Sequence, residues 1–163
     1  MSELLSQEIH LTSAEATAAL ARRLGAHLVP GDVILLSGGI GAGKTHFARA
    51  LIQSILAVPE DVPSPTFTLV QEYDTTRGPL WHADLYRLSD PLEVVELGLD
   101  EAFETAICLV EWPDRLADLT PDDTLAIELT ALPGEGDEAR RMQITAPPRW
   151  QPLLTEILKE TRP

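Results

Sequence analysis

Apolar residues change their spacing several times along this chain, and each change marks an element. Residues 33–37 read as a short buried strand, apolar from Val33 to Leu36 and entered from a Pro30-Gly31-Asp32 turn. Beyond Lys44 the spacing switches: Phe47, Ala48, Leu51, Ile52, Ile55 and Leu56 recur with a helical period that fades near Ala57, ahead of Pro59. Upstream, residues 8–11 read as a strand. Thr12, with Ser13, Ala14 and Glu15 behind it, has capping-box spacing and predicts a helix from near residue 13 through Leu24, with Gly25 close to its end.

Downstream, Pro63 and Pro65 oppose a helix. Residues 66–73 and 80–86 read as extended segments on either side of a Thr-Thr-Arg-Gly-Pro turn, which predicts a hairpin. Asp90-Pro91 opens a helix carrying Leu92, Val95 and Leu99, with Gly98 as its bend or its end. Residues 106–110 are a compact apolar strand, closed by Glu111, Trp112 and Pro113, and residues 113–119 are a short turn or helix. Residues 124–130 alternate, residues 131–138 read as a loop, residues 140–145 return as a strand, and residues 151–160 have the pattern of a final helix. There is no repeat, low-complexity tract or linker, so residues 1–163 are expected to form a single domain. Mixed strands and helices predict an α/β sandwich around a central sheet.

Composition narrows this picture. Hydrophobic residues make up 44% of the 163, enough for a real core, and no run approaches the length of a membrane helix. The first ten residues lack a basic stretch followed by an apolar one, so no secretory signal is expected. The only cysteine, Cys108, sits among aliphatics and reads as a buried core thiol. These features together suit a cytoplasmic protein. Acidic residues outnumber basic ones 26 to 12, for a formal net charge of −14. That balance argues against a broad, non-specific nucleic-acid surface, and against stable nucleic-acid binding by this chain alone.

The candidate chemistry lies between the first two well-defined elements. Gly38, four residues, then Gly43, Lys44 and Thr45 is the spacing of a phosphate-binding loop, and it lies between a strand and a helix as that motif requires. Glycines let backbone amides curl toward phosphate oxygens, and the following helix N-terminus adds its own N–H groups. Gly38, Gly39, Gly41, Ala42, Gly43, Lys44, Thr45 and His46 are therefore the expected nucleotide-binding residues. Lys44 would reach the terminal phosphates and Thr45 would offer its hydroxyl to magnesium. The plain alternative is a flexible turn with a solvent lysine.

A phosphate loop needs acids elsewhere. Glu111 follows an apolar strand directly, where a carboxylate can face a nucleotide at the carboxyl end of a parallel sheet. The competing reading is an ordinary surface acid at the start of a loop. Asp84 shares one strand face with His82 and Tyr86, opposite Ala83 and Leu85. That row either borders a site or is a solvated face, and Asp84 can serve magnesium directly, through water, or by orienting water. Thr66 and Thr68 follow a constrained loop and suit either a nucleotide-sensing switch or a plain turn before a strand. Trp112 suits a core position or a partner-facing one.

Taken in order, "GGIGAGKT", "SPTFTLVQEY", "HADLYRL", "ELGLDEAF" and "LVEWPDRL" resemble the TsaE (formerly YjeE) ATPases of bacterial tRNA threonylcarbamoyladenosine synthesis over nearly the whole chain. The resemblance implies a P-loop NTPase-like three-layer fold with a central mixed sheet flanked by helices. It implies ATP and Mg2+ as cofactors. Thr45, Glu111 and Asp84 become the metal candidates, and Lys44, Asp84, Glu111 and Thr66 the candidates for hydrolysis. Ser64, Pro65 and Thr66 fall in the switch-like segment, and Tyr86, Arg87 and Trp112 near the site or its partner surface. His46 departs from the hydroxyl residue usual after the motif's Lys-Thr. The implied partners are TsaD and TsaB, which carry out threonylcarbamoyl transfer to tRNA, so tRNA is met indirectly through that complex. The implied activity is a weak Mg-dependent ATPase raised by partners. Two other readings share the loop: a small-molecule kinase, against which the scattered arginines and lack of an evident lid insertion argue, and a nucleotide-dependent interaction protein with negligible turnover.

Overall fold

In the computed structural model, which describes residues 4–65 and 68–159, the chain opens with β1 (Leu5–Leu11) and α1 (Ala14–Gly25). The apolar run becomes β2 (Val33–Ser37) and leads through the glycine loop into α2 (Lys44–Ile55). A hairpin of β3 (Val70–Thr75) and β4 (Gly78–Asp84) precedes two short helices, α3 (Leu92–Glu96) and α4 (Leu99–Thr105). β5 (Ile107–Glu111), a 3-10 segment (Pro113–Leu119), β6 (Thr124–Ala131), β7 (Arg140–Ala146) and α5 (Gln151–Lys159) follow.

The strands form one sheet in the order β1-β7-β6-β2-β5-β4-β3. β6, β2, β5 and β4 run parallel, and antiparallel pairs close both margins, so the sheet is mixed as expected. Side chains alternate between faces along each strand. Ile34 and Leu36 therefore join Leu20, Leu24, Phe47 and Leu51 in the core beneath α1, α2 and α5. Val33 and Leu35 join Val94, Leu99, Phe103 and Cys108 on the opposite face. A strand covered on both faces has no solvent side, which is why residues 33–36 are apolar without interruption. Each fully buried aliphatic or aromatic side chain contributes about 1.5–3 kcal/mol against leaving it in water. Cys108 is a core thiol, and burial pushes it up to about 12. Among the described residues no helix is long and apolar enough to cross a membrane.

Several local expectations need correction. The α1 cap is Ser13, whose hydroxyl accepts from Ala16 N at 3.0 Å, and Thr12 has no such role. Glu15 pairs with Arg22 instead of closing a capping box. The strand expected over 66–73 starts later, at Val70, because Leu69 N donates to Pro65 O at 2.7 Å in a tight turn. Residues 66 and 67 lie outside the described residues. β4 ends at Asp84, since Leu85 accepts from Leu88 N in a turn. Tyr86 therefore leaves the row formed by His82 and Asp84. The helix after Pro91 is two helices divided at Gly98, and the face changes with them: Val94 and Leu99 are buried, whereas Leu92 and Val95 are exposed.

Register decides where chemistry can occur. Glu111 at the end of β5 stands level with Leu36 of β2 on one side and Asp84 of β4 on the other. Neighbouring strands are roughly 4.8 Å apart. The carboxyl ends of three parallel strands thus meet at the mouth of the glycine loop.

Candidate nucleotide site

β2 delivers the chain into the loop at Gly38. Its φ is +138°, and a Cβ there would lie 2.4 Å from the Leu129 carbonyl oxygen of β6. Only glycine lets the loop turn so close to the neighbouring strand. Gly43, with φ of +105°, is the residue from which α2 starts, and the first helical bond runs from Phe47 N to Gly43 O at 2.9 Å. The amides ahead of that bond have no acceptor within the helix, which is the physical basis of anion binding at such an end. No acidic residue occupies the first turn of α2 to compete for that role.

Lys44 is the first residue of α2 and is only 5% exposed. Its Nζ donates to Gly38 O at 2.7 Å and Gly39 O at 2.9 Å, and it lies 4.2 Å from the centre of the Trp112 ring. Burial pulls its pKa below the ordinary 10.5, while Glu111 and Asp84 oppose that shift. An ammonium gathered inside the loop in this way is placed to meet phosphate charge.

Thr45 Oγ1 donates to Glu111 Oε1 at 2.7 Å. Glu111 is 2% exposed, and its other oxygen, Oε2, is 2.7 Å from His82 Nε2. Asp84 is also buried, and its Oδ1 accepts from Tyr86 N at 3.1 Å. Trp112 adopts φ of +59°, and its ring lies 4.9 Å from that of Tyr86. The resulting cleft of about 480 Å³ is lined by Gly41, Gly43, Lys44, Thr45, Asp84 and Glu111, among others. A larger groove of about 580 Å³ runs along β1 and α1 and contains none of the motif residues.

Lys44, Thr45, Asp84 and Glu111 are therefore brought together. Gly38, Gly39 and Ala42 shape the loop from behind, against β6, rather than lining the cleft. His46 reaches the rim, and its Nε2 donates to Ala14 O at 3.0 Å, tying α2 to α1. Arg87 is exposed and is not among the residues lining the cleft. Thr66 lies outside the described residues.

Arg140 was not expected at the loop. From the start of β7 it donates to Ala42 O at 2.8 Å and Gly41 O at 3.3 Å, and so holds the loop while also lining the cleft. Nothing local in "EARRMQ" signals this, because the contact follows from pairing β7 beside β6. Arg149 belongs elsewhere, paired with Asp32 at 3.0 Å and with Asp123. Arg140 and Arg149 thus do not act as one basic patch.

The site offers an ammonium, a ring of loop amides, a hydroxyl and two carboxylates in one cleft. Hydroxyl and carboxylate oxygens are the donors a hard divalent cation prefers, and magnesium commonly takes only one or two protein ligands alongside substrate phosphates. Among the described residues no group of three His, Cys, Asp or Glu side chains forms a self-contained metal cage. This donor set fits magnesium carried with a nucleotide.

Comparison with known proteins agrees with this chemistry. The family model described as threonylcarbamoyl adenosine biosynthesis protein TsaE matches residues 11–142. The tRNA threonylcarbamoyladenosine biosynthesis protein TsaE of Rickettsia bellii is 36% identical over 143 residues, covering 88% of this chain and 97% of that protein. The namesake from Nostoc sp. is 40% identical over 144 residues, covering 85% of each chain. The crystal structure of YdiB from Bacillus subtilis superposes with a TM-score of 0.74 at 32% identity, over 99% of both chains. With its phosphate loop opening onto strand-end carboxylates, the chain belongs to the TsaE family of P-loop ATPases in tRNA threonylcarbamoyladenosine biosynthesis.

Proposed function

We propose that this chain, acting as one domain, binds ATP with magnesium, hydrolyses it slowly by itself, and turns over faster when engaged by TsaD–TsaB. The observation that carries this reading is the meeting of Lys44, Thr45, Asp84 and Glu111 in one cleft. Lys44 and the amides of the glycine loop would bind the phosphates. Thr45 and Glu111 are the first choices for magnesium, with Asp84 next, and magnesium when bound would neutralise charge on the terminal phosphates. Asp84 is also suited to orient the attacking water. Lys44 now donates to loop carbonyls, so phosphate oxygens would take over an ammonium already held in position.

The chain would not transfer the threonylcarbamoyl group. It would set or reset the state of the partner complex, with Thr66 ordered by the γ-phosphate. A net charge of −14 favours a partner that supplies the basic tRNA surface itself, and the setting is the cytoplasm. The deciding experiment is an ATPase assay with the chain alone, with TsaD–TsaB, and with tRNA added. Phosphate released to water and rising with partners supports the reading. Phosphate appearing in a small acceptor would make it a kinase, and no turnover under any condition would leave a binding protein only.

A further inference from the structure

Glu111 has a long side chain with several rotatable bonds, yet both its oxygens are held. Thr45 Oγ1 donates to Oε1 at 2.7 Å, and His82 Nε2 is 2.7 Å from Oε2. A carboxylate only accepts hydrogen bonds, so the ring nitrogen facing it carries the hydrogen. His82 is fully buried on β4, level with Leu109 of β5, and two residues from Leu80 on the same apolar face. Its Nδ1 has no hydrogen-bond partner among the described residues. One ring nitrogen is matched to Glu111 and the other to nothing, so what the histidine supplies at this buried position is the single Nε2–H donor to the carboxylate.

The two contacts on Glu111 are not equivalent. Thr45 is itself a metal candidate, so its hydroxyl changes partners when a nucleotide and cation arrive. His82 is not among the residues lining the cleft. It is the fixed contact, and it comes from the strand adjacent to Glu111's own. We infer that His82 is a positioning residue for magnesium: its Nε2–H holds Oε2 of Glu111 so that Oε1 faces Thr45 and the cation. The inference rests on the assignment of Glu111 to magnesium made above.

Substituting a group that orients a metal ligand commonly costs about 10–100-fold in metal affinity. The test uses His82→Leu, which keeps bulk and loses the donor, and His82→Gln, whose amide nitrogen can occupy the Nε2 position. Calorimetric titrations with ATP are run under a chelator and then across a magnesium series, with circular dichroism as the check on folding. His82→Leu should bind ATP under chelation within about twofold of wild type, yet need about tenfold more magnesium for half-maximal binding. His82→Gln should return to within about threefold of the wild-type requirement. Should His82→Leu fail to fold, His82→Asn decides, because its amide reaches the Nδ1 position and not Nε2. Asparagine and glutamine variants with the same magnesium requirement would overturn the inference, as would a folded leucine variant that overlays wild type. Glu111→Ala in the same series separates the two levels. If it too overlays wild type, the metal assignment itself is wrong. If only the histidine variants do, Glu111 stands and His82 has no positioning role.

Discussion

Replacing Gly38 with alanine tests how tightly the phosphate loop is pressed against the sheet. The new Cβ would lie 2.4 Å from Leu129 O and 3.2 Å from Ala42 Cβ. Real Cβ atoms essentially never come within 3.0 Å of another heavy atom, so something must move. Leu129 cannot readily yield, because it is paired with Met142 of β7 and directly follows Glu128, which is paired with Ser37 of β2. The loop must shift, and the alanine must also hold φ near +138° or abandon it. A non-glycine residue in such a backbone region costs about 1–3 kcal/mol. Overpacking in a fixed surround typically adds about 1–3 kcal/mol. The sum, about 2–6 kcal/mol, is a large share of the roughly 5–15 kcal/mol that holds a domain folded. At about 2–4 °C per kcal/mol for this size, melting should fall by about 4–24 °C. Gly39→Ala is the control: a Cβ there meets nothing within 4 Å, and stability should stay within about 0.5 kcal/mol of wild type. Thermal and urea denaturation of both variants, with ATP titrations on the folded samples, measure the contrast. Gly38→Ala melting within about 1 °C of Gly39→Ala would refute the steric argument.

Other substitutions probe the cleft directly. Lys44→Met should abolish measurable triphosphate binding in calorimetry and alter the pH dependence of stability. Burial lowers the folded-state pKa of Lys44 below 10.5, so the stability gained by deprotonation is full above 10.5 and is lost as pH falls through the folded value. Urea denaturation should therefore show wild type gaining on Lys44→Met as pH rises toward 10.5; parallel curves would contradict this. Thr45→Ala and Glu111→Ala should each raise the magnesium needed for half-maximal ATP binding by about tenfold or more. Glu111→Ala also strands the buried His82 donor, at a cost of about 1–3 kcal/mol seen in urea denaturation. Arg140→Ala should weaken ATP binding several-fold while leaving the magnesium requirement unchanged, because it frees the loop without touching the candidate metal donors; a change in magnesium requirement alone would show that its role is different.

The parts of the fold that were legible in the sequence are those set by local rules. The apolar run at 33–36 could be read because a strand buried on both faces has no solvent side for polar residues. The loop glycines could be read because phosphate binding requires a fixed spacing. What could not be read depended on distant partners. The 92–99 segment has a helical pattern that suggests Leu92 and Val95 as its inner face, but the break at Gly98 re-aims the chain and buries Val94 instead. His82 was ambiguous because only the β4–β5 register brings it to Glu111. Arg140 was hidden because its loop contact depends on β7 lying beside β6.

The crossing of Gly38 against Leu129 also has a consequence in time. As the ribosome extends this chain, the glycine loop emerges early, yet neither wall that shapes it exists. Both neighbours of β2, first β5 and then β6, emerge long after it. Arg140, which donates to two loop carbonyls, comes later still. An unfinished chain carries the phosphate-binding letters without the surface that bends them into a cradle, and ATP has nothing shaped to grip. The nucleotide site is thus assembled among the last parts of the fold. A truncation before residue 129 should forfeit ATP binding, even though every residue of the motif is already present.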